Sequence, residues 1–369
     1  MVENPYEELF KEGLKVQQKL LKGFENMLQV QDVEAGVTPR ELVHQADKVK
    51  LYHYKAGKSN RIAVPLLVNY ALVNRQYMMD IQEDRSMFRK MLENGIDLYV
   101  IDWGYPSRMD KYLSMEDYIN GYMDEMVDFV RQHTGHGKIN FLGVCQGGTF
   151  AVIYTALHPQ KVRNLVVMVA PVDFDTRDGL LNIWSKAMNA DLMVDALGNI
   201  PGELMNLGFL WLKPFQLIVD KYVGLMDNLE NPAAVRNFLR MEKWIFDSPD
   251  QAGEAFRKFI KDLYQDNKLV KGKFELGGER VDLKKITMPV LNIYGEQDHL
   301  VPPACSIPLS KLVGSKDVTT RAFPLGHIGM YVSSRSQEEL APLIISWLTE
   351  RSKLQATAAS RAPAGNKKP

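Results

Sequence analysis

A cysteine lies in a short glycine-rich stretch whose surroundings are those that a nucleophile requires. Residues 143–148 read Gly-Val-Cys-Gln-Gly-Gly, and the apolar run before them predicts a short buried strand over residues 139–142. A helical pattern over residues 146–157 follows directly. Strand, tight turn and helix are the context of the G-x-S-x-G nucleophile elbow, here with Cys145 in the place of serine. Taken alone, the stretch is equally typical of a glycine-rich turn with a buried cysteine.

A nucleophilic cysteine needs a base, and the base needs an acid to orient it. Asp298 follows the predicted strand 288–294, and His327 follows the predicted strand 318–323. Turns at the carboxyl ends of parallel strands lie at one edge of a sheet. Nucleophile, acid and base then occur in the chain order of an α/β-hydrolase triad. We therefore predict that Cys145, Asp298 and His327 are the catalytic residues.

Other residues near these turns are rivals for the same roles or candidates for lining the site. His299 follows the predicted acid directly, so we expect its ring to line the site rather than to reach Cys145. Glu296 is a rival acid in the same turn, and Trp103 is a further candidate for lining the site. Cys305 lies beside two prolines and is expected to be a packing cysteine. The remaining histidines are expected to be surface or packing residues: His44, His53, His133, His136 and His158.

The oxyanion that forms on attack at a carbonyl carbon needs two backbone N–H donors. We expect one from Gln146, the residue after the nucleophile, and one from Val73 or Asn74 in the loop after the predicted strand 64–70. A thiolate beside a histidine and at a helix N-terminus is nucleophilic near neutral pH. Because a thioester retains a high acyl-transfer potential, cysteine favours acyl transfer from a thioester such as acyl-CoA. No metal spacing or nucleotide-binding motif accompanies these residues, so no cofactor is expected.

The elements that must position these residues predict one α/β domain with an insertion. Apolar strands alternate with amphipathic helices over residues 48–173 and again over residues 286–352, which predicts a mostly parallel sheet covered on both faces. Residues 174–285 are rich in Trp, Phe, Met and Leu and predict a mainly helical cap. The predicted strands are 48–54, 64–70, 97–101, 139–142, 163–169, 288–294 and 318–323, and the predicted helices of the core are 84–94, 115–132, 146–157, 306–313 and 336–349.

The two ends of the chain have different patterns. Residues 1–47 predict an N-terminal helical segment, with one helix over residues 7–28. A second helix is expected to start at Thr38, because a cap residue, a proline and a glutamate are spaced there as at the N-terminus of a helix. Residues 353–369 are rich in Ala, Ser, Arg, Pro and Lys without an apolar period, which predicts a disordered tail.

The composition is that of a soluble globular protein, with 46% hydrophobic and 24% charged residues among 369. The 45 basic residues balance the 45 acidic ones, which argues against nucleic acid as a partner. The two cysteines cannot form a disulfide framework, and a reactive thiol must stay reduced, so we expect a cytoplasmic protein. The first residues lack the basic and apolar regions of a signal peptide, and no apolar run reaches the roughly 18 to 20 residues of a membrane span.

Up to about residue 350 the chain resembles the catalytic subunit of class III polyhydroxyalkanoate synthases. The stretches that carry the resemblance are 70–75, 81–86, 101–106, 143–148, 198–203, 237–254, 298–303 and 326–329. The family's lipase-like box with cysteine corresponds to Cys145, its aspartate to Asp298 and its histidine to His327. The resemblance implies an α/β-hydrolase fold and polymerisation of (R)-3-hydroxyacyl-CoA, typically (R)-3-hydroxybutyryl-CoA, with release of CoA and growth of an intracellular polyester granule.

The resemblance also implies partners. Class III catalytic subunits work with a separate E-type companion subunit (PhaE), and we expect a homodimer or a larger hetero-oligomer. The cap and residues 7–28 are candidate surfaces for contact with a partner, a second copy or the granule. We further expect the cap to cover Cys145 and to move when substrate enters. Whether Asp298 only orients His327 or acts on the acceptor hydroxyl is left open.

Two other functions fit parts of the pattern. A hydrolase of the dienelactone-hydrolase kind also uses a G-x-C-x-G-G box, although such enzymes lack a cap of roughly a hundred residues. A granule-associated scaffold on the same fold would leave Cys145 without a role, against which the complete set of nucleophile, acid and base argues.

Overall fold

The computed structural model describes residues 33–57, 62–215 and 220–352, together with residues 18 and 22. Within this part of the chain, eight strands form one sheet in the order β1-β2-β4-β3-β5-β6-β7-β8. The strands are β1 (Glu41–Ala46), β2 (Val49–Tyr54), β3 (Leu66–Asn69), β4 (Leu98–Asp102), β5 (Ile139–Val144), β6 (Val162–Met168), β7 (Val290–Gly295) and β8 (Val318–Phe323). Strand β2 is antiparallel to both of its neighbours, and the other pairs are parallel. The prediction of a mostly parallel sheet is confirmed.

Helices follow the strands along most of the chain. They are α1 (Met87–Glu93), α2 (Asp124–Thr134), α3 (Gln146–Leu157), α4 (Leu180–Ala187), α5 (Ala190–Leu197), α6 (Gly202–Trp211), α7 (Lys221–Asp227), α8 (Pro232–Phe246), α9 (Gly253–Lys258), α10 (Pro303–Ser306), α11 (Leu309–Leu312), α12 (Gly329–Val332) and α13 (Ala341–Arg351). Segments of π-helix adjoin α2, α9 and α13 over Asp117–Met123, Phe259–Gln265 and Ser336–Leu340. Short 3₁₀ turns cover Gln76–Met79, Arg108–Tyr112 and Leu283–Lys285.

Helices cover both faces of the sheet. Successive residues of a strand point to opposite faces, so neighbouring side chains pack against different helices. On one face Leu67 and Phe141 pack with side chains of α2 and α3. On the opposite face Leu66 and Leu142 pack with side chains of α1 and α13. All four side chains are fully buried. The central strands are therefore continuous apolar runs, and the helix that follows β5 is held against the sheet along its whole length.

Local signals set several helix ends. The predicted cap residue Ser114 accepts a hydrogen bond from the N–H of Asp117 at 3.1 Å, at the start of the π-helical segment that leads into α2. The predicted helix 306–313 is instead two short helices, α10 and α11, separated by Ile307 and Pro308. Proline has no N–H and its ring clashes with the preceding turn, so one continuous helix is not possible here.

The helix predicted to start at Thr38 is wrong. This part of the chain forms β1, which pairs with β2 at the edge of the sheet. The N–H and Oγ1 of Thr38 donate to the carboxylate of Asp80, at 2.9 and 2.6 Å, and so do not cap a helix. Pairing with β2 outweighs the local helix signal, because tertiary contacts override weak propensities. The predicted helical segment 1–47 is thus a strand at its end. Residues 7–28, apart from residues 18 and 22, and residues 353–369 lie outside the described residues.

The chain between β6 and β7 is mainly helical, as predicted. It contains helices α4 to α9 and the π-helical segment Phe259–Gln265, and its described strands form a short antiparallel pair, Glu275–Leu276 with Glu279–Arg280. Whether residues 174–285 fold as a unit separate from the core stays a prediction. Among the described residues, no helix is both long and apolar enough to span a bilayer.

Candidate active site

Cys145 lies between β5 and α3 in a backbone conformation that residues with a side chain rarely adopt, with φ 54° and ψ −129°. Its surroundings hold it there. The N–H of Cys145 donates to the carbonyl of Met168 at 3.0 Å, and its carbonyl accepts from the N–H of Gly148 at 2.8 Å. Strain of this kind persists only where neighbouring contacts enforce it, and it is common at functional sites. The predicted strand, tight turn and helix around Cys145 are all present.

Two glycines allow the start of α3 to pass close to its neighbours. A Cβ on Gly147 would lie 2.4 Å from the carbonyl oxygen of Tyr70, and a Cβ on Gly148 would lie 2.4 Å from the Cβ of Ala170. Neither distance is possible for a real side chain, so only glycine fits at either position. The side-chain amide of Asn69 then donates to the carbonyl of Gly147 at 2.8 Å and ties the helix start to the end of β3.

Asp298 and His327 meet at the carboxyl edge of the sheet, in the turns after β7 and β8. Nδ1 of His327 donates to Oδ2 of Asp298 at 2.6 Å. The other oxygen of Asp298 accepts from the N–H groups of Leu300 and Val301, each at 2.9 Å. Both side chains are almost completely buried. The carboxylate is therefore fixed from one side and holds the imidazole ring from the other.

The charges around His327 favour its protonated form. Burial by itself lowers the pKa of His327, but the charges of Asp298 and then of Cys145, with the hydrogen bond to Asp298, raise it to about 10. Because Asp298 occupies Nδ1, Nε2 is the ring nitrogen left to interact with Cys145. The roles of Cys145 as nucleophile, His327 as base and Asp298 as orienting acid stay a prediction, with which these contacts agree.

The loop after β3 lies beside the elbow, as the oxyanion prediction requires. Gln146 is the first residue of α3, so its N–H has no acceptor within the helix. Its side-chain oxygen accepts from the N–H of Leu72 at 3.1 Å, which ties the loop to the elbow. Val73 and Cys145 pack against the same apolar cluster. The donor roles of Gln146, Val73 and Asn74 stay a prediction.

The turn after β7, which contains Asp298, also contains His299 and Glu296, the other candidates for the roles of base and acid. His299 is half-buried, and burial, the positive charge of Lys213 and that of His327 lower its pKa, against a weaker opposing effect of Asp298. Its ring is thus coupled both to the triad and to the chain just after α6, and its role in lining the site stays a prediction. Glu296 is exposed to solvent, whereas Asp298 is buried against His327. Asp298 rather than Glu296 is the acid that holds the ring.

Trp103 lies behind the loop after β3. Its indole N–H donates to the carbonyl of Tyr70 at 3.1 Å, and its ring packs edge-to-face on Tyr118 with 5.4 Å between centroids. It therefore supports the backbone of the loop, and contact with substrate stays a prediction. The second cysteine, Cys305, is fully buried, accepts a weak hydrogen bond from the side chain of Asn182, and has its pKa raised to about 12 by burial. These contacts are those of the packing residue that was predicted.

Three aromatic residues near the site were missed by reasoning from the sequence. The hydroxyl of Tyr331 lies 3.2 Å from Nε2 of His327, and the ring of Tyr70 packs on that of Tyr331 with 5.9 Å between centroids. The indole N–H of Trp244 in α8 donates to the carbonyl of Arg75 at 2.8 Å. The spacing of four residues after His327 was the available signal for Tyr331. No local signal pointed to the contact of Trp244. In the part of the chain that the structure describes, no cluster of three or more His, Cys, Asp or Glu side chains could hold a metal ion.

The sheet order and the site define the class of protein. The family described as "alpha/beta hydrolase fold" matches residues 64–332. Solved structures agree with this fold. A monoacylglycerol lipase from Paleococcus ferrophilus has a TM-score of 0.53 at 17% identity, covering 82% of this chain and 99% of its own. A putative non-heme bromoperoxidase, BpoC, from Mycobacterium tuberculosis has a TM-score of 0.53 at 12% identity, covering 85% and 100%. The chain has an α/β-hydrolase fold.

Comparison with curated proteins is more specific than the fold. A poly(3-hydroxyalkanoate) polymerase subunit PhaC from Allochromatium vinosum is 55% identical over 347 residues, 94% of this chain and 98% of the relative. Subunits with the same name from Synechocystis sp. and Haloferax mediterranei are 52% and 45% identical; the first match covers 94% of each chain and the second 88% of this chain and 66% of the relative. This chain belongs to the family of poly(3-hydroxyalkanoate) polymerase PhaC subunits.

Proposed function

We propose that this chain is an acyltransferase that polymerises (R)-3-hydroxyacyl-CoA, with (R)-3-hydroxybutyryl-CoA as the first candidate, into a polyester with release of CoA. The observation that carries the chemistry is the buried Asp298–His327 pair, hydrogen-bonded at 2.6 Å and coupled to Cys145 on a strained elbow. The membership of the PhaC family supports a polymeric product. The sulfur nucleophile supports transfer, because the thioester that it forms keeps its acyl-transfer potential.

In the first step the thiolate of Cys145 attacks the carbonyl carbon of the acyl-CoA thioester. Its proton has moved to Nε2 of His327, and the oxyanion is held by the N–H of Gln146 and that of Val73 or Asn74. The bond from the carbonyl carbon to the CoA sulfur then breaks. The leaving sulfur takes the proton from His327, so CoA departs as a free thiol and Cys145 carries the acyl group.

In the second step the hydroxyl of a further monomer or of the chain end attacks the thioester on Cys145. His327 accepts the hydroxyl proton, a carbon–oxygen ester bond forms, and the bond to the sulfur of Cys145 breaks. An orienting role for Asp298 is supported by its contacts, since one oxygen accepts from Leu300 and Val301 and the other accepts from His327. Both oxygens are thus occupied, and His327 is the group left to act on the hydroxyl.

We infer that the helices between β6 and β7 cover this site and must move during turnover. Tyr264 supports this, because it is buried and its hydroxyl is close enough for the charge of Cys145 to affect its pKa, after burial and Cys305. Two contacts fasten α8 and the residues after it to the loop after β3. Trp244 donates to the carbonyl of Arg75, and the side chain of Asn74 donates to Ser248 at 3.1 Å. This covering region therefore lies near Cys145 and contacts the proposed oxyanion loop.

The remaining expectations are part of the same proposal. The chain would act as a class III catalytic subunit with an E-type companion subunit (PhaE), as a homodimer or larger hetero-oligomer, in the cytoplasm at the surface of polyester granules. CoA belongs to the substrate, and no cofactor takes part. Exposed apolar side chains on the covering helices support a surface for contact, among them Leu207, Trp211 and Phe215.

The test is release of free thiol from (R)-3-hydroxybutyryl-CoA by the purified chain, with and without the co-expressed E-type subunit. We expect one thiol for each monomer consumed, together with insoluble polymer. Cys145→Ala should abolish both, and the matched variant Cys305→Ala should keep both. Soluble 3-hydroxybutyrate in place of polymer would favour the hydrolase. Absence of thiol release, with Cys145→Ser behaving as wild type in cells, would favour the scaffold.

A further inference from the structure

The hydroxyl of a buried tyrosine lies at Nε2 of His327, the ring nitrogen that takes the proton of Cys145 in the proposed mechanism. Tyr331 lies in α12, four residues after His327, with its hydroxyl 3.2 Å from Nε2. The two rings pack edge-to-face, with 5.7 Å between centroids and an angle of 81°. Tyr331 is fully buried. Its hydroxyl is therefore shielded from water and has few possible partners, and the mechanism set out above gives it no role.

A second tyrosine lies behind the first. Tyr70 directly follows β3, is 3% exposed, and packs on Tyr331 with 5.9 Å between ring centroids. The two side chains are near enough for each to affect the pKa of the other. Burial raises the pKa of both hydroxyls well above 10. Each therefore keeps its proton near neutral pH and can donate one hydrogen bond while accepting others.

This pair can satisfy Nε2 of His327 in both of its protonation states. With Nδ1 donating to Asp298, a neutral ring offers Nε2 as an acceptor, and a protonated ring offers an N–H as a donor. When the ring takes the proton of Cys145, the hydroxyl of Tyr331 can accept from that N–H and turn its own proton towards Tyr70. Without this partner, Nε2–H would depend on the sulfur of Cys145 alone, and an unmatched buried donor is costly.

We propose that Tyr331, supported by Tyr70, is a positioning residue for His327 that stabilises the protonated ring while Cys145 is a thiolate. The inference rests on the proposed function, in that Cys145 and His327 are taken as nucleophile and base. The titratable groups around the ring are Asp298 at Nδ1, Cys145 and Tyr331 at Nε2, Tyr70 behind Tyr331, and His299 in the neighbouring turn.

The test is the pH dependence of alkylation of Cys145 by iodoacetamide, followed on the Cys145 peptide by mass spectrometry so that Cys305 does not contribute. In Tyr331→Phe the midpoint of the profile should rise by about half to one pH unit, the value of one buried hydrogen bond. Tyr70→Phe should shift the midpoint in the same direction by less. For thioester cleavage, Tyr331→Phe should lower kcat about three- to tenfold and leave KM unchanged.

The control is Tyr154→Phe, which removes another buried hydroxyl, one that donates to Asp124 at 2.7 Å, from a position late in α3. Its alkylation profile should match that of the wild type. A Tyr331→Phe midpoint that stays unchanged or falls would overturn the proposal, a fall meaning that the hydroxyl competes with the thiol for Nε2. If Tyr331→Phe does not fold, as judged by circular dichroism, the same criterion applies to Tyr70→Phe.

The same experiment separates this inference from the proposed function. If Cys145 of the wild type alkylates with the profile of the urea-unfolded protein, then Cys145 has no coupled base and the proposed function fails together with the inference. If the wild type is clearly more reactive at low pH than the unfolded protein and Tyr331→Phe matches the wild type, the triad stands and only the role of Tyr331 is refuted.

Discussion

Helix α3, which follows the nucleophile, and helix α7, which belongs to the covering region, differ in how far the rest of the chain covers them. Every residue of α3 from Gly147 to Leu157 is buried, and no residue of α7 is. The other covering helices are intermediate, and α6 buries only Gly202 and Asn206. The large apolar side chains exposed along this part of the chain are Leu180, Ile183, Trp184, Leu192, Leu197, Leu204, Leu207, Trp211, Phe215, Tyr222, Val223, Met226 and Phe246.

This difference separates two tasks within one chain. The sheet and α3 hold Cys145, Asp298 and His327, and their burial supplies stabilisation of about 25 cal/mol for each Å² of apolar surface removed from water. Helices that bury little can shift at low cost, because local opening is cheapest where few buried contacts must be broken. In the proposed function, the well-packed elbow sets the geometry of the reaction and the thinly packed helices move to admit substrate.

The largest expected effect comes from replacing the glycine that brings α3 against β3. In Gly147→Ala the new Cβ would meet the carbonyl oxygens of Tyr70 and Asn69 at 2.4 and 2.6 Å, and backbone cannot yield as a side chain can. We expect a loss of about 2–3 kcal/mol in the free energy of unfolding. Thiol release should fall about a hundredfold, because the oxyanion loop is displaced. Urea unfolding and the thiol-release assay measure the two effects.

The matched substitution in the covering region should act in the opposite direction. A Cβ on Gly208, inside α6, meets no atom within 4 Å. Gly208→Ala should therefore stabilise the protein by about 0.5–1 kcal/mol through the helix propensity of alanine, without loss of activity. If both glycine variants changed stability to the same extent, the contrast between rigid elbow and loose cover would be incorrect.

A covalent link between the two regions tests whether the cover moves. The side chains of Asn74 and Ser248 touch at 3.1 Å, so this pair is the candidate position for an engineered disulfide. The oxidised Asn74→Cys/Ser248→Cys variant should turn over about tenfold or more slowly, because opening limits access to the site, and reduction should restore the rate. Consumption of thioester is the measurement, and each single variant is a control. Equal rates in the oxidised and reduced forms would show that this contact does not need to open.

The buried ion pair of the rigid region should make stability depend on pH. Folding raises the pKa of His327 from 6.5 to about 10: burial lowers it, but the interactions with Asp298 and Cys145 together more than offset this effect. The folded state therefore keeps a proton that the unfolded chain releases above about pH 6.5. The resulting stabilisation is complete below that pH, and the free energy of unfolding should decrease as the pH rises towards 10. Urea titrations at several pH values measure this dependence. In Asp298→Asn the part of the decrease that comes from His327 should be absent. If the free energy of unfolding changed with pH equally in the variant and the wild type, the Asp298–His327 pair would not be its source.

The smallest effect is expected at an exposed aromatic residue of the covering region. Phe215 is 76% exposed, so Phe215→Ala should change the free energy of unfolding by less than about 0.5 kcal/mol. The matched substitution Phe141→Ala removes a fully buried ring from β5 and should cost about 3–5 kcal/mol. Thermal or urea unfolding of the two variants gives the comparison. A large loss on replacing Phe215 would mean that this side chain is covered in solution.

Much of the fold could be predicted because its signals are local. Mostly apolar runs identified β3 to β7 to within two residues, because strands buried on both faces contain few polar residues. The region around Thr38 failed for the opposite reason. A cap residue, a proline and a glutamate favour a helix when taken alone, but pairing with β2 and the hydrogen bonds of Thr38 to Asp80 produce a strand. Edge strands depend on a partner that is not visible in their own residues.

The sequence by itself determined the glycine turn around Cys145, the order of the predicted nucleophile, acid and base, and their places at the ends of strands, because residue type and spacing encode these features. Only the tertiary structure decided that Tyr70 packs behind Tyr331 and that Trp244 fastens α8 to the loop after β3. Both contacts join residues that lie far apart in the chain. They depend on how the elements pack together, for which a single residue and its neighbours in sequence contain no signal.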